Sequence, residues 1–392
     1  MSAAAEDVRA ARWSRHHTEW RDPAQIIGQW RDVAIDPSLL EMRVTGDWWD
    51  LLGELGITLL VTREYEHLAI GLSRPDRSPR IAAVPMPHPS GLAVDRARRR
   101  VWIASTRNPN QLFEFAPVVG VEGRSDRTIG PISDRPLVSI QSRTYPGSLY
   151  MHDLALVGDR LHANAVGQNA IATFEDDSYR RVWWPRCIES EGVAGFSCNY
   201  LQLNSIAAGE SLETSYFSAS ADRPAARRPG HRNFVVDRRG VIFDGATREV
   251  AFRGLTRPHS ARLRDGVVWV DNSGYGQLAR CSEGKFDVVA QLPGWTRGLS
   301  FVGSIGFVGT SRVIPRFSHY APGLDIGRSE CGVHAVDLTD GTVRASVTWP
   351  NGNQIFAVDW IETSVATGFP SRAASRRVTV AERNLFYAFK VN

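Results

Sequence analysis

From Trp48 onward the chain alternates short runs of apolar and β-branched residues with turns of Gly, Asn, Asp and Pro, while the period of an amphipathic helix nearly vanishes. The runs recur in a fixed order: a small-plus-apolar start, a turn, a β-rich run, a second turn and another β-rich run. SGLAVD followed by RRRVWIAST, RNPN and QLFEF spans Ser90 to Phe115. Similar units run from His152 to Glu175, from His259 to Cys281 and from Arg297 to Ile314, the last continued by CGVHAVDLTDGTVRASVTW. Weaker copies start at Asn204 and Phe356, and a first copy starts at Trp49. Seven units over residues 48–392 give roughly 49 residues each, close to the ~40–50 of a propeller blade.

The pattern predicts an all-β fold, a seven-bladed β-propeller whose radially arranged four-stranded blades protect their edges. Six blades is the alternative, with the divergent first and last units sharing one blade. A pair of β-sandwiches would leave the recurrence unexplained. Residues 1–47 read as a helical or irregular extension and 48–392 as a single propeller domain.

Aligning the unit starts compares one structural position across blades. It holds Ser90, His152, Asn204, His259, Arg297 and Phe356. The start of each innermost strand faces the central channel, so two His, an Asn and an Arg would converge on one axis as acids, bases or ligands. Polar channel residues can equally serve to bind water and cross-link blades. Gln202 and Gln354 lie two residues earlier on the same strand face, His88 reaches toward the same mouth, and Trp295 would wall the cleft. The planar fork of Arg297 suits a carboxylate or phosphate. The pattern thus nominates His152, His259 and Arg297 as catalytic, and Asn204, Gln202, His88, Ser90, Trp295, Gln354 and Phe356 as substrate-binding.

Composition narrows the chemistry. Of 46 cationic side chains only two are lysines, Lys285 and Lys390, and 44 are arginines. A Schiff-base lysine or a phosphate-loop lysine has almost nowhere to sit. The 42 acidic residues interspersed among the basic ones leave a net charge of +4 and argue against a nucleic-acid partner. No apolar stretch approaches a membrane span, and the acidic N-terminus lacks a signal-peptide core, so a cytoplasmic location is expected. Cys187, Cys198, Cys281 and Cys331 are too scattered for a disulfide framework or a zinc knuckle and read as small buried residues. His16 and His17 read as solvated, and Gly274 to Ala279 as a β-turn rather than a dinucleotide fingerprint. The long segments 116–148, 218–233 and 315–331 read as lids or disordered loops.

MHDLAL (151–156), CNYLQLNSIA (198–207), RPHSARL (257–263), GWTRGLSFVG (294–303) and CGVHAVDLTDGTV (331–343) resemble an uncharacterised bacterial family of conserved hypothetical proteins. The resemblance covers roughly residues 48–365 and implies a β-propeller. This chain departs from the family pattern. It has Gln202-Leu203-Asn204-Ser205 for His-Leu-Asn-Gly, and Asn353 to Ala357 for Gln-Glu-Ile-Phe-Asp. It also has Tyr150 and Met151 where an Asp precedes His-Asp-Leu. A divalent metal would lose a His and several carboxylates here, leaving His152 and His259, too few for tight zinc.

Without a nicotinamide, flavin or Schiff-base signature, the expected function is a non-redox enzyme (hydrolysis, elimination, isomerisation or cyclisation). It would act on a small molecule or modified peptide, with His152 and His259 as acid and base. A secondary-metabolic role suits a diverged member. The alternatives are a non-catalytic binding scaffold and a metal-dependent enzyme using those two histidines.

Overall fold

A computed structural model describes residues 35–107, 110–121, 135–197, 199–225, 227–370 and 389–391, with positions 7, 10, 11 and 14 of the N-terminal segment. His16, His17, Cys198 and part of the 116–148 segment lie outside the described residues. Among the described residues, five four-stranded antiparallel sheets and one of five strands follow one another around a ring. The propeller has six blades, not seven. The first and last sequence units are two parts of one blade: Ala357–Glu362 is its innermost strand, hydrogen-bonded along Ile57–Thr62, with Leu68–Ser73 and Arg80–Pro85 outside.

This composite sheet is blade 1. Blades 2 to 6 begin with the inner strands Pro89–Asp95, Met151–Val157, Leu203–Ala207, Pro258–Arg264 and Trp295–Val302. Blade 6 gains a fifth, outer strand from Arg43–Thr45. Arg43–Thr45, from the stretch read as an N-terminal extension, thus pairs with the edge of blade 6. The stretch read as the start of the first unit is instead a helix, Trp48–Glu54, which buries Trp48, Leu51 and Leu52.

Alternating side chains put apolar residues on both faces of every blade, and burial follows. Six apolar clusters form, one at each junction between neighbouring blades. The junction of blades 6 and 1 is the largest and takes the helix, with Trp48 edge-on to Phe307 at 5.9 Å.

A second set of contacts sits at the channel. In each blade a short polar side chain donates to the backbone carbonyl that begins the next blade's inner strand. Thr62 Oγ1 reaches Ser90 O at 2.7 Å, and Ser90 Oγ reaches Met151 O at 2.7 Å. Asn164 Nδ2 reaches Leu203 O at 2.8 Å, and Asn204 Nδ2 reaches Pro258 O at 3.0 Å. Ser273 Oγ reaches Thr296 O at 2.6 Å, and Ser311 Oγ closes the ring on Ile355 O at 3.0 Å.

Just after each ring position the blades approach closely. Asp153, Ser205 and Ser260 accept from the next blade's Ile206, Ala261 and Gly298 N–H groups. A Cβ at Gly91 would lie 2.7 Å from the Asp153 carbonyl carbon. Cys281 and Cys331 are buried and Cys187 half-buried, and burial raises all three thiols to about 12. Among the described residues no helix is long and apolar enough to cross a membrane.

Thr62 carries two links, because its Oγ1 also accepts from the Ala357 N–H of the closing strand at 3.0 Å. Thr62→Val should therefore cost about 1–3 kcal/mol, the penalty for stranding buried polar groups. Thr62→Ser should cost less. Urea unfolding of the two variants checks this, and an unchanged midpoint in Thr62→Val would show that the link contributes nothing.

Candidate functional site

Each inner strand starts on the same face of the ring, and each has a register irregularity within its first few residues in blades 2 to 6. In blades 3, 5 and 6 the ring residue beside that bulge, His152, His259 or Arg297, lines the channel mouth. Two residues earlier the chain passes through a second recurring position: His88, Tyr150, Gln202, Arg257, Trp295 and Gln354. In blades 2 to 5 this residue is left-handed, with φ of 41° at His88, 53° at Tyr150, 52° at Gln202 and 54° at Arg257. Left-handed non-glycine residues are uncommon, so the repetition marks a shared turn that feeds the bulge.

The two rings enclose a cavity of about 520 Å³. From the first ring it is walled by His152, His259, Arg297 and Phe356, and from the second by Tyr150, Gln202, Arg257, Trp295 and Gln354. The loops between second and third strands lie on the same face. Those of blades 1 and 2 add Glu64, Thr106 and Arg107, and those of blades 4 and 6 are the long segments 218–233 and 315–331, which add Pro229, Phe317 and Tyr320. Of the 116–148 segment, the described residues 118–121 and 135–136 lie between the third and fourth strands of blade 2, and Ser148 at its end lines the cavity.

Seven of the ten residues nominated from sequence meet at this cavity. The other three do not line it. Ser90 and Asn204 spend their donors on blade-to-blade links. His88 is buried edge-on to His67 at 4.4 Å. It is 3.8 Å from Glu64, yet burial, then His67 and Arg107, depress it to about 2, so it is neutral and forms no ion pair. The partners of Glu64 are Thr106 Oγ1 at 2.7 Å and Arg107 at 3.3 Å.

Arg297 is the centre of the electrostatics. It stacks its guanidinium 3.3 Å above the Phe356 ring, which His152 meets edge-on at 5.4 Å. Among the described residues Arg297 makes no ion pair, and its buried Nη2 has no hydrogen-bond partner. Burial lowers it to about 10, so it stays charged at neutral pH. Both channel histidines respond. Burial and then Arg297 push His152 down to about 3 and hold His259 well below the ordinary histidine range.

The tautomer of His259 follows from its neighbours. Its Nδ1 faces Arg257 O at 2.9 Å and Ser273 Oγ at 3.0 Å, and that hydroxyl already donates to Thr296 O. Two acceptors at Nδ1 assign the proton there, leaving the Nε2 lone pair for the cavity. Asn204 lies beside His152 and favours its protonated form.

Sequence reasoning missed Glu64, Arg107, Tyr150, Arg257 and Tyr320. Tyr150 and Arg257 were within reach, since they hold the same offset as Gln202 and Gln354. Arg257 donates to Gln202 Oε1, to Ser220 Oγ at 3.3 Å and to Pro229 O at 2.9 Å, and stacks on Tyr320 at 3.6 Å. Asp271, register partner of His259, is fully buried, and burial raises it well above the carboxylate range. A metal would find a poor donor set. No group of three or more His, Cys, Asp or Glu is placed to hold one among the described residues, and Arg297 opposes a cation at the two imidazoles.

The chain belongs to the DUF4915 family, a domain of unknown function whose family model matches residues 46–368. No curated protein matches it. Among solved structures the DUF4915 chain is similar to one from a nidogen–laminin complex at 11% identity and a TM-score of 0.50, covering 78% of this chain and 98% of that one. It is also similar to a gluconolactonase from Xanthomonas campestris (12% identity, TM-score 0.42, covering 68% of this chain and 77% of that one). A calcium-binding regucalcin from Agrobacterium tumefaciens has 14% identity and a TM-score of 0.38, covering 66% of this chain and 73% of that one. The first likeness concerns the fold alone.

The buried histidines make stability depend on pH. The unfolded chain takes up protons on them near 6.5, whereas the folded DUF4915 chain keeps His334 neutral to about 4, His152 to about 3 and His88 to about 2. Their contribution is therefore complete above pH 6.5 and lost as pH falls below it, by about 1.4 kcal/mol per pH unit for each imidazole. Urea unfolding between pH 7 and 5 should show this slope, reduced by about one proton in His334→Gln. A flat profile would contradict the burial of neutral histidines.

Proposed function

We propose that the funnel binds a small anionic molecule and acts on it without redox chemistry, with the neutral channel histidines as proton acceptors. One observation carries the reading: beside two neutral histidines the cavity is lined by a buried guanidinium that has no ion-pair partner among the described residues and carries an unpartnered Nη2. Taking a lone cation out of water costs several kcal/mol, and a bound anion offsets that cost. The same anion opposes the Coulombic effect of Arg297 on His152 and His259 and raises their basicity. The base is thus weak in the empty funnel and stronger once substrate is held.

Hydrolysis, elimination, isomerisation and cyclisation all use such a base beside a held anionic group. A non-catalytic binding scaffold is less well supported, because residues of the 218–233 and 315–331 segments line the cavity. Those segments suit a ligand held within the funnel rather than a partner on its rim.

Calorimetric titration with acetate and inorganic phosphate tests the anion site. Arg297→Gln should weaken binding at least 10-fold, as expected for a lost charge-assisted hydrogen bond. Unchanged affinity would remove the basis of the reading. For a ligand that is turned over, His259→Gln should keep binding within about threefold and lower turnover at least 100-fold. Full turnover in both His259→Gln and His152→Gln would end the catalytic assignment.

A further inference from the structure

The walls of the funnel are unequal. Blade 6 supplies its apolar side: Trp295 from the start of the inner strand, and Val313, Ile314, Phe317 and Tyr320 from the long loop that follows Ser311. The rings form a ladder up from His259. Trp295 meets it at 5.7 Å, Tyr320 lies 6.1 Å from Trp295, and Phe317 is stacked on Tyr320 at 5.1 Å and 25°. Tyr320 is held in place from another side by Arg257, 3.6 Å from its ring centre. The facing wall is polar, with Glu64, Thr106, Arg107 and Tyr150. A molecule whose charged end sits on Arg297 must lay its body along one wall or the other. The blade 6 wall groups Trp295, Phe317 and Tyr320 with Val313 and Ile314, whereas Tyr65 and Tyr150 stand apart on other blades and the Phe356 ring is covered by Arg297.

Charge selects the head group. The imidazoles beside Arg297 are neutral, and Arg107, Arg257 and Arg312 are tied to protein acceptors while Arg228 is exposed at the rim, so the head group is met by the unpartnered Nη2 of Arg297. A planar fork of donors matches a planar carboxylate. Resting on the anion reading above, we infer that the ligand of this funnel is an aromatic carboxylate, its carboxylate on Arg297 and its ring on Trp295, beside the edge of Tyr320. The cavity of about 520 Å³ is within the range of small-molecule sites. Stacked ring pairs gain beyond simple burial, so an aromatic body is preferred to an aliphatic one of equal carbon count.

Calorimetry on the full chain with 3-phenylpropanoate, 3-cyclohexylpropanoate, propanoate and phenyl phosphate tests the inference. The aryl carboxylate should bind at least 10-fold tighter than propanoate and at least threefold tighter than its cyclohexyl counterpart. Trp295→Leu should bring the ratio of aryl to cyclohexyl affinity down to about one. If Trp295→Leu does not fold, as judged by circular dichroism, Tyr320→Leu gives the same readout from the loop. Equal affinity for the aryl and cyclohexyl acids, or tighter binding of phenyl phosphate, would overturn the aromatic-carboxylate assignment. Should propanoate binding still depend on Arg297 in that case, the anion reading stands without it. No saturable binding of any of the four overturns the assignment outright. Loss of all Arg297-dependent binding of acetate, phosphate and propanoate takes the anion reading with it.

Discussion

Six side-chain-to-carbonyl hydrogen bonds, each from one blade to the first residues of the next, hold the centre of this propeller. Apolar layers between blades supply most of the burial energy, but they are non-directional and tolerate sliding. The polar links fix where each inner strand begins. A net gain of about 1 kcal/mol per bond is modest, yet a misplaced strand would strand a buried donor and a buried carbonyl at both of its neighbours. Closure multiplies the constraint: Ser311 and Thr62 tie the C-terminal inner strand between blades 6 and 2, so no blade can shift alone.

That precision is what places the chemistry. His259 donates from Nδ1 to two acceptors, Arg257 O and Ser273 Oγ, and Ser273 is the same side chain that links blade 5 to blade 6. Asn204 links blade 4 to blade 5 and sits beside His152. Blade registration and imidazole orientation are therefore one network. Arg297 follows directly after Thr296, whose carbonyl receives the Ser273 bond. A loosened junction between blades 5 and 6 would move the cation and the base together.

Much of this was legible because a propeller repeats its register. The unit starts alone bring His152, His259, Arg297 and Phe356 to one axis, and in the structure these four line one cavity. The blade number was misread for a topological reason. Blade 1 is built from strands some 300 residues apart (Ile57–Arg63 against Ala357–Glu362), so counting along the chain scores its two parts as two units. Ser90 and Asn204 show another limit. A short polar residue at the ring can face a ligand or the next blade's carbonyl, and that choice depends on a neighbour 54 residues away for Asn204. Glu64 and Arg107 come from loops of unequal length between second and third strands, where no common offset exists to align.

The distribution of charge follows from the same geometry. Five arginines line the funnel against one carboxylate, Glu64, which is itself bound to Thr106 and Arg107. Arg312 is absorbed by backbone carbonyls at Gly352, Ser329 and Pro350, and Arg257 by Gln202, Ser220 and Pro229. Arg228 is exposed at the rim. Arg297 alone among the five is both buried and without a hydrogen-bond acceptor on Nη2. A lysine there would lack the flat face that stacks on Phe356 and would carry a more strongly hydrated charge, harder to keep in so enclosed a place. Arginine, dispersed across the surface of this protein, acquires its specific consequence at the one position where the ring turns it inward.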